Sequence, residues 1–394
     1  MDMQPPNRGM QGTLQQLRAM GLLMVGALIL QVAAGILNII VPVRMALAEQ
    51  APTLIGLVAS SYAGGFLIGC FMCPPVIRHI GHIRAFSVFG ALQAVLALGF
   101  TSGDFGYWTL VRFGTGFAGA GAAIVLESWI SAQASPSQRG RLFGIYQVLT
   151  RIAMIGGQLA ASHLLFGASS AFLIVSVCYS LSVIPVCLTV ANVPQSPAVA
   201  TIALRQLWRT APMSAMGCIY VGSVGSALMG ILPAWGVLAG LSPLAASLLS
   251  TAVQVGSLIT QWPMGYLSDR TDRRRVMMGG TAVTLVMSII LVAGLVPAGL
   301  GVFAIFALIG GSTLPVYMLS VSHAFDRADK SQAVGLSSSL LFHWAVGSIL
   351  GPLLATSMIE RIGTLGLPAF IVLLSLAFVI FGVIRLSARR SVDE

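Results

Sequence analysis

Residues 265–275 read Gly-Tyr-Leu-Ser-Asp-Arg-Thr-Asp-Arg-Arg-Arg, a short charged segment between two long apolar runs. Asp269 stands near the end of the first run, and Arg273 and Arg274 open the second. A carboxylate and a guanidinium at neighbouring helix ends form strong charge-assisted hydrogen bonds. The stretch therefore predicts two antiparallel helices joined by a tight loop with ion pairs across the helix ends. A basic loop that only sets topology is the alternative interpretation.

Apolar runs extend in both directions from this loop and occupy most of the 394 residues. A transmembrane helix needs about 20 mainly apolar residues. Twelve runs of that length lie near 20–46, 53–77, 83–101, 107–134, 140–165, 168–190, 212–240, 244–268, 276–296, 298–325, 331–358 and 363–387. The pattern predicts an all-α membrane protein with 12 transmembrane helices.

The composition narrows the class of protein. Hydrophobic residues make up 57% and charged residues only 8%, and the mean hydropathy is +0.92. A soluble domain carries about 25% charged residues, so a large soluble domain is excluded. An enzyme is not expected, because few polar residues remain to form an aqueous active site. The five cysteines all fall in apolar runs, where we interpret them as small buried residues and expect no metal and no cofactor.

The net charge of +10 is explained by basic loops that set the orientation of the protein in the membrane, so no nucleic-acid partner is expected. With an even number of spans, both termini face the same side. Of the 21 Lys and Arg residues, 17 fall on the termini and the even-numbered loops. The positive-inside rule then predicts cytoplasmic termini and a bacterial inner-membrane location.

An internal repeat relates the two halves of the chain. A shift of 191 residues places Pro42 on Pro233, Gly65 on Gly256 and Gly156 on Gly347. Two parallel six-helix repeats are typical of secondary transporters, with the solute path between them. The predicted organisation is an N-terminal tail 1–19, a first bundle 20–190, a cytoplasmic linker 191–211, a second bundle 212–387 and a C-terminal tail 388–394.

With these features, the sequence resembles the major facilitator superfamily over about residues 20–387. The segment 265–275 is similar to the superfamily's signature loop, and residues 110–120 are similar to its helix 4 motif. The resemblance implies that the signature loop acts as a gate that must break as the protein rocks open. Its expected members are Gly265, Asp269, Arg270, Arg273 and Arg274.

A narrower resemblance is to the bacterial YcaD-type branch. It rests on residues 261–263, on Glu127-Ser128 and on Leu314-Pro315-Val316. The loop after helix 2 departs from the signature pattern, because Arg78 takes the place of its Asp. Symmetric gating in the first half is therefore not expected.

Three charged residues lie inside the predicted spans. A charge at the centre of a bilayer costs about 2.5–3.5 kcal/mol on insertion scales, so it faces a cavity or a partner. Glu127 and Arg151 each lie 12 residues from Arg139, on successive helices. We expect them at similar depth, as an ion pair that proton or substrate binding breaks; a static structural pair is the alternative. Arg112 resembles the superfamily's helix 4 arginine, and the resemblance implies a proton-relay role; capping of backbone carbonyls of neighbouring helices is the alternative.

Further polar and aromatic residues in the spans are candidates for the path. His343 is a candidate for proton coupling, because histidine titrates near neutral pH. The cavity-lining candidates are Gln31, Asn38, Gln147, Gln158, Tyr220, Gln254, Gln261, Tyr317 and Trp344. Hydrogen bonding between helices is the alternative role for each polar member.

These features predict a secondary active transporter of a small organic solute, working by alternating access. Proton-coupled efflux is the preferred form. Uptake of a small metabolite, an anion included, is the first alternative, and a non-transporting membrane sensor on the same scaffold is the second. The expected partners are the solute, protons and the lipid bilayer, and the protein is expected to be a monomer.

Overall fold

The structure is a computed structural model that describes residues 8–102, 104–133, 139–164, 170–189, 204–296, 299–327 and 333–393. Within these ranges every regular element is a helix and no strand occurs. The predicted linker 191–211 is described only from Leu204 onward, and the predicted tail 1–19 only from Arg8.

The described part of the first half forms six helices, each matching one predicted run. They are α1 Arg8–Leu47, α2 Pro52–Ile80, α3 His82–Gly99, α4 Phe105–Gln133, α5 Arg139–Leu164 and α6 Ser170–Cys187. Short turns separate α1 from α2 and α2 from α3, so these neighbours run antiparallel.

The described part of the second half contains nine α-helices, because two predicted runs are interrupted and the linker contributes one short helix. They are α7 Leu204–Thr210, α8 Pro212–Gly230, α9 Leu232–Leu238, α10 Pro243–Arg270, α11 Arg273–Val292, α12 Leu300–Thr313, α13 Val316–Phe325, α14 Ala333–Ile362 and α15 Gly366–Asp393. The predicted run 212–240 breaks at Ile231, and the run 298–325 breaks at Leu314-Pro315. Proline has no amide hydrogen, so a helix readily breaks beside it.

Ten stretches of the described chain are long and apolar enough to cross a membrane. The last of them, Gly335–Leu386, contains both α14 and α15. Helix α5 is outside the ten, and it carries Arg139, Arg141 and Arg151. The all-α membrane fold is confirmed, and the helices are consistent with twelve crossings.

Glycine contacts join the helices within each half, and the same pattern occurs twice. In the first half Gly65 of α2 lies against the Phe113 carbonyl of α4, and in the second Gly256 of α10 lies against the Ala307 carbonyl of α12. Small residues of this kind let helix backbones approach closely in a membrane. Residues 65 and 256 are the pair that the 191-residue shift superposes.

The two halves meet through α2 with α14, α5 with α10, and α1 with α9. We call the end of the bundle that holds the α1–α2 turn the distal end, and the other the proximal end. At the distal end Gly56 of α2 contacts the Thr356 hydroxyl of α14. A Cβ added to Gly230 of α8 would lie 3.0 Å from the Ala59 Cβ of α2, so these two helices are also in close contact. These contacts join the two halves at the distal end of the bundle.

The close α2–α4 approach predicts different effects for two adjacent glycines. Gly65→Ala pushes a methyl group into the Phe113 carbonyl and should destabilise the protein by about 1–3 kcal/mol. Gly64→Ala is the matched control: its methyl group would meet only the Phe113 ring, at 3.9 Å, and alanine has the better helix propensity. Thermal unfolding in detergent should show a lower Tm for Gly65→Ala alone, and equal Tm values would contradict the crossing.

Candidate functional site

A cavity of about 410 Å³ lies between the halves. Its wall comes mainly from α1, α2, α4 and α5, with α8 and α14 closing the opposite side. Leu314, at the break between α12 and α13, also lines it. Interrupted helices beside a midplane cavity are typical of substrate sites in transporters.

Glu127 and Arg112 are the only charged residues on this wall among those the structure describes. Both belong to α4, 15 residues apart, which corresponds to about 22 Å of helix rise. Glu127 is on the proximal side, its side chain accessible from the cavity, and it forms no ion pair with any described residue. The carboxylate is therefore available to the contents of the cavity.

Arg112 lies towards the distal side and is only 7% exposed. One guanidinium nitrogen donates a hydrogen bond to Asn38 Oδ1 of α1. The guanidinium carbon lies 4.6 Å from the centre of the Tyr62 ring, which is a cation–π contact. Arg112 is thus held by neutral groups of α1 and α2.

Several residues on the wall are additional to the sequence predictions. Gln93 of α3 and Tyr179 of α6 line the cavity, as do Tyr62 and Phe66 of α2. Gln93 is 3% exposed, and its Nε2 has no hydrogen-bond partner. It is the one amide side chain in run 83–101, which is the signal in the sequence that could have identified it.

The predicted Glu127–Arg151 ion pair is not formed. Instead, Arg151 Nη1 donates a 2.7 Å hydrogen bond to the Ser257 hydroxyl of α10, in the other half of the protein. Equal depth was predicted from residue spacing, but spacing along two helices does not determine which way each side chain points around its helix axis. Arg151 therefore joins the two halves near the middle of α5, and it does not line the cavity.

The predicted lining residues divide into two groups. Gln31, Asn38, Gln147 and Trp344 are on the wall. The remaining five, Gln158, Tyr220, Gln254, Gln261 and Tyr317, lie outside it.

The second group makes contacts between helices. Tyr220 bonds Ser375 at 3.1 Å and stacks on Phe378, so it packs inside the second half. Gln254 approaches Met154 Sδ at 3.9 Å across the halves, and Gln261 approaches Met318 Sδ at 3.8 Å.

Gln158 is buried with its Oε1 lacking a hydrogen-bond partner. Tyr317 packs against Trp344, which is itself on the wall.

His343 is buried off the wall and contacts the linker helix α7. Its Nε2 accepts a 2.8 Å hydrogen bond from Trp208 Nε1, while Nδ1 lies 2.7 Å from the Ser339 carbonyl oxygen. Leu207 of α7 is fully buried in a small apolar cluster with Cys218 of α8 and Leu340 of α14. The linker helix is therefore docked on the second half.

The gating-loop candidates form a charge network at the proximal end. Arg273 Nη1 pairs with Asp269 at 2.9 Å, and Arg273 Nε pairs with Asp326 at 2.6 Å, which connects the ends of α10, α11 and α13. Arg274 Nη2 pairs with Asp272 at 2.6 Å. Pairing across neighbouring helix ends therefore occurs, and all the partners belong to the second half.

The remaining gating candidates have other surroundings. Arg270 stacks over the Tyr266 ring at 4.2 Å. A Cβ at Gly265 would meet no atom within 4 Å. The gating role of the loop stays a prediction.

Known proteins share both sequence and architecture with this chain. The family model of the Major Facilitator Superfamily matches residues 23–249 and 215–393. The chain belongs to the Major Facilitator Superfamily. It is a multi-pass membrane transporter of that superfamily.

Among sequence relatives, this superfamily member is similar to the uncharacterized MFS-type transporter YcaD of Escherichia coli O139:H28. The two are 27% identical over 376 residues, which cover 92% of this chain and 94% of the relative. YcaD of Salmonella newport is 27% identical over 350 residues, covering 87% of this chain and 90% of the relative. The expected YcaD-type resemblance is confirmed.

Among solved structures, a bacterial homolog of the human lysosomal transporter Spinster, in an inward-facing and unoccupied conformation, superposes with a TM-score of 0.75. It is 15% identical, and the match covers 93% of this chain and 95% of that chain. The nucleoside transporter NupG also gives a TM-score of 0.75 at 13% identity, covering 94% and 98% of the two chains. At these identities the likeness shows a shared fold.

The charge network of this transporter predicts a pH-dependent stability. Hydrogen bonds from the Arg274 side chain lower the pKa of the Asp272 carboxyl to about 2. The ionised form stabilises the folded state above the unfolded pKa of about 3.9, and this contribution is lost as the pH falls from there towards the folded pKa. Asp272→Asn should cost about 1 kcal/mol at pH 7, and its Tm deficit should shrink steadily below about pH 4.

The measurement is thermal unfolding of the two proteins in detergent across this pH range. Glu49→Gln serves as control, because Glu49 forms no ion pair with any described residue. A Tm deficit for Asp272→Asn that stays constant down to the lowest pH would argue against the ion pair.

The Arg151–Ser257 hydrogen bond predicts energetic coupling between the halves. Arg151→Gln and Ser257→Ala should be non-additive in a double-mutant cycle, by about 1 kcal/mol, because each removes the same hydrogen bond. Ser250, on the same helix, is buried and its hydroxyl has no partner. The cycle of Arg151→Gln with Ser250→Ala should therefore be additive, and equal coupling in both cycles would contradict the contact.

Proposed function

We propose that this superfamily member is a proton-coupled secondary transporter that exports a small amphipathic organic solute through the central cavity. The proposal rests on Glu127, which is the one acidic residue on the described wall and has no ion-pair partner among the described residues. An unpaired carboxylate on an otherwise largely apolar surface is the group that can exchange a proton as the cavity opens to each side.

The coupling follows from the cost of a charge in the membrane. An ionised side chain at mid-bilayer costs about 2.5–3.5 kcal/mol on insertion scales, and protonation removes most of this cost for a carboxylate. A change of exposure at Glu127 therefore changes its proton affinity. Proton uptake on one side and release on the other then accompany the conformational cycle.

Alternating access requires the two halves to move as units. We propose that residues 20–190 and 212–387 are these units, which is supported by the repeated glycine contacts within each half. The distal contacts at Gly56 and Gly230 must separate for the opposite side to open. We propose further that the termini are cytoplasmic and the protein is a monomer in the bacterial inner membrane, with the distribution of basic residues supporting the orientation.

Arg112 favours a second candidate, uptake of a small anionic metabolite. It is a buried cation on the cavity wall with no acidic partner within the described chain. Export and uptake use the same cavity and differ in which gradient drives the cycle.

The test uses purified protein in liposomes that contain a pH-sensitive dye. A proton gradient is imposed, and a panel of cationic, neutral and anionic solutes is added to wild type, Glu127→Gln and Glu360→Gln. Glu360 is the control carboxylate, exposed on α14 and absent from the cavity wall. At least one solute should move protons in wild type and in Glu360→Gln, with the signal lost in Glu127→Gln.

Solute-driven proton movement that persists in Glu127→Gln with unchanged pH dependence would remove Glu127 from the coupling. No proton movement with any solute in wild type would overturn proton coupling itself. Loading the solute inside or outside the vesicles then separates export from uptake.

A further inference from the structure

We propose that the distal part of the cavity is an anion subsite, formed by Arg112, Gln93, Tyr62 and Tyr179, that receives the carboxylate of an amphipathic organic acid. The proposal rests on the proposed transport function and names the substrate class for the same cavity. Its decisive feature is that this wall carries several hydrogen-bond donors, Arg112 among them, while no acidic side chain of the described residues pairs with Arg112.

Arg112 supplies the charge. Its guanidinium carries five N–H donors, and within the described chain Asn38 is its one hydrogen-bond partner. No acidic side chain of the described residues lies within 4.0 Å of it. Most of its donors are therefore unused, and the fixed guanidinium fork matches the two oxygens of a carboxylate.

Gln93 independently indicates a ligand acceptor. It is on the cavity wall, 3% exposed, and its amide nitrogen is buried and donates to no described residue. A buried donor without a partner costs about 1–3 kcal/mol. Rotation of this amide towards the cavity would let a ligand oxygen accept from it, whereas a cationic head group has no acceptor to offer.

Two phenol groups complete the donor set. Tyr62 and Tyr179 both line the cavity, and neither hydroxyl forms a hydrogen bond with any described residue. The Tyr62 ring is already engaged with Arg112, which holds it beside the guanidinium. A phenol hydroxyl can donate to a carboxylate oxygen.

The rest of the wall indicates the shape of the acid. Phe66 lies one helical turn beyond Tyr62 on α2, and its ring meets Trp344 of α14 edge to face at 6.2 Å. These rings offer an apolar surface for an aromatic or branched body. Glu127, about 22 Å along α4 from Arg112, repels the carboxylate from the proximal end. The acid group is therefore directed to the distal end of the cavity.

The test is equilibrium binding to the purified full-length protein in detergent, with no proton gradient. The probes are phenylacetate, its neutral amide phenylacetamide, and the cation phenethylammonium, which share one aromatic body. Binding is followed by calorimetry. Wild type should bind phenylacetate at least about tenfold more tightly than either other probe.

Two variants locate the subsite. Arg112→Gln should weaken phenylacetate binding at least about tenfold, and Gln93→Leu about threefold or more, while neither changes binding of the amide to the same extent. Thr109→Val is the control, since Thr109 has an unpartnered buried hydroxyl one turn before Arg112 and is absent from the wall. Gel filtration checks that each variant is folded. If Arg112→Gln does not fold, the test relies on Gln93→Leu.

Tighter binding of phenethylammonium than of phenylacetate would overturn the anion subsite, as would phenylacetate binding that is unchanged in both variants. These outcomes leave the proposed coupling untouched, because that is read from proton flux and from Glu127→Gln. Conversely, acid binding that depends on Arg112 and Gln93, together with a liposome assay without proton movement, would retain the subsite and reject the coupling.

Discussion

The structure depends on one constraint, which is that lipid cannot solvate a charge or an unpaired backbone group. The backbone meets it by forming helices throughout the described chain. Arg112 and Glu127 meet it by facing a cavity between the halves, where their charged groups need not contact hydrocarbon. The cavity is thus the condition that allows α4 to carry two charges within an apolar bundle.

Glycine contacts occur both within the halves and between them, and a polar hydrogen bond also joins the two halves. Within each half, glycines bring helix backbones together, as at Gly65 and Gly256. Between the halves, Arg151 donates to Ser257 at mid-depth and small residues meet at the distal end. The proposed alternating access requires these contacts between the halves to exchange, whereas the glycine crossings within each half would stay in place. The charge network around Arg273 and the docked linker helix both belong to the second half, so they would travel with it.

Sequence reasoning succeeded where a residue's environment follows from its neighbours along the chain. The apolar runs located the helices, and the charged stretch 265–275 correctly predicted ion pairs across helix ends, since Asp269 and Arg273 are only four residues apart across the loop. It failed where the partner comes from a distant helix. Arg151 was assigned to Glu127 but bonds Ser257, and Gln93 was overlooked although it faces the cavity.

The sequence by itself determined that the chain is an all-α membrane protein with a repeated plan, because hydropathy and spacing report directly on the solvent around each helix. It also identified Glu127 and Arg112 as charges that cannot face lipid. Only the tertiary structure decided which face of each helix borders the cavity and which polar groups meet there. The physical reason is that helix rotation and crossing are set by side-chain packing against neighbouring helices, such as Gly65 against Phe113, and that packing is not encoded in periodicity along one helix.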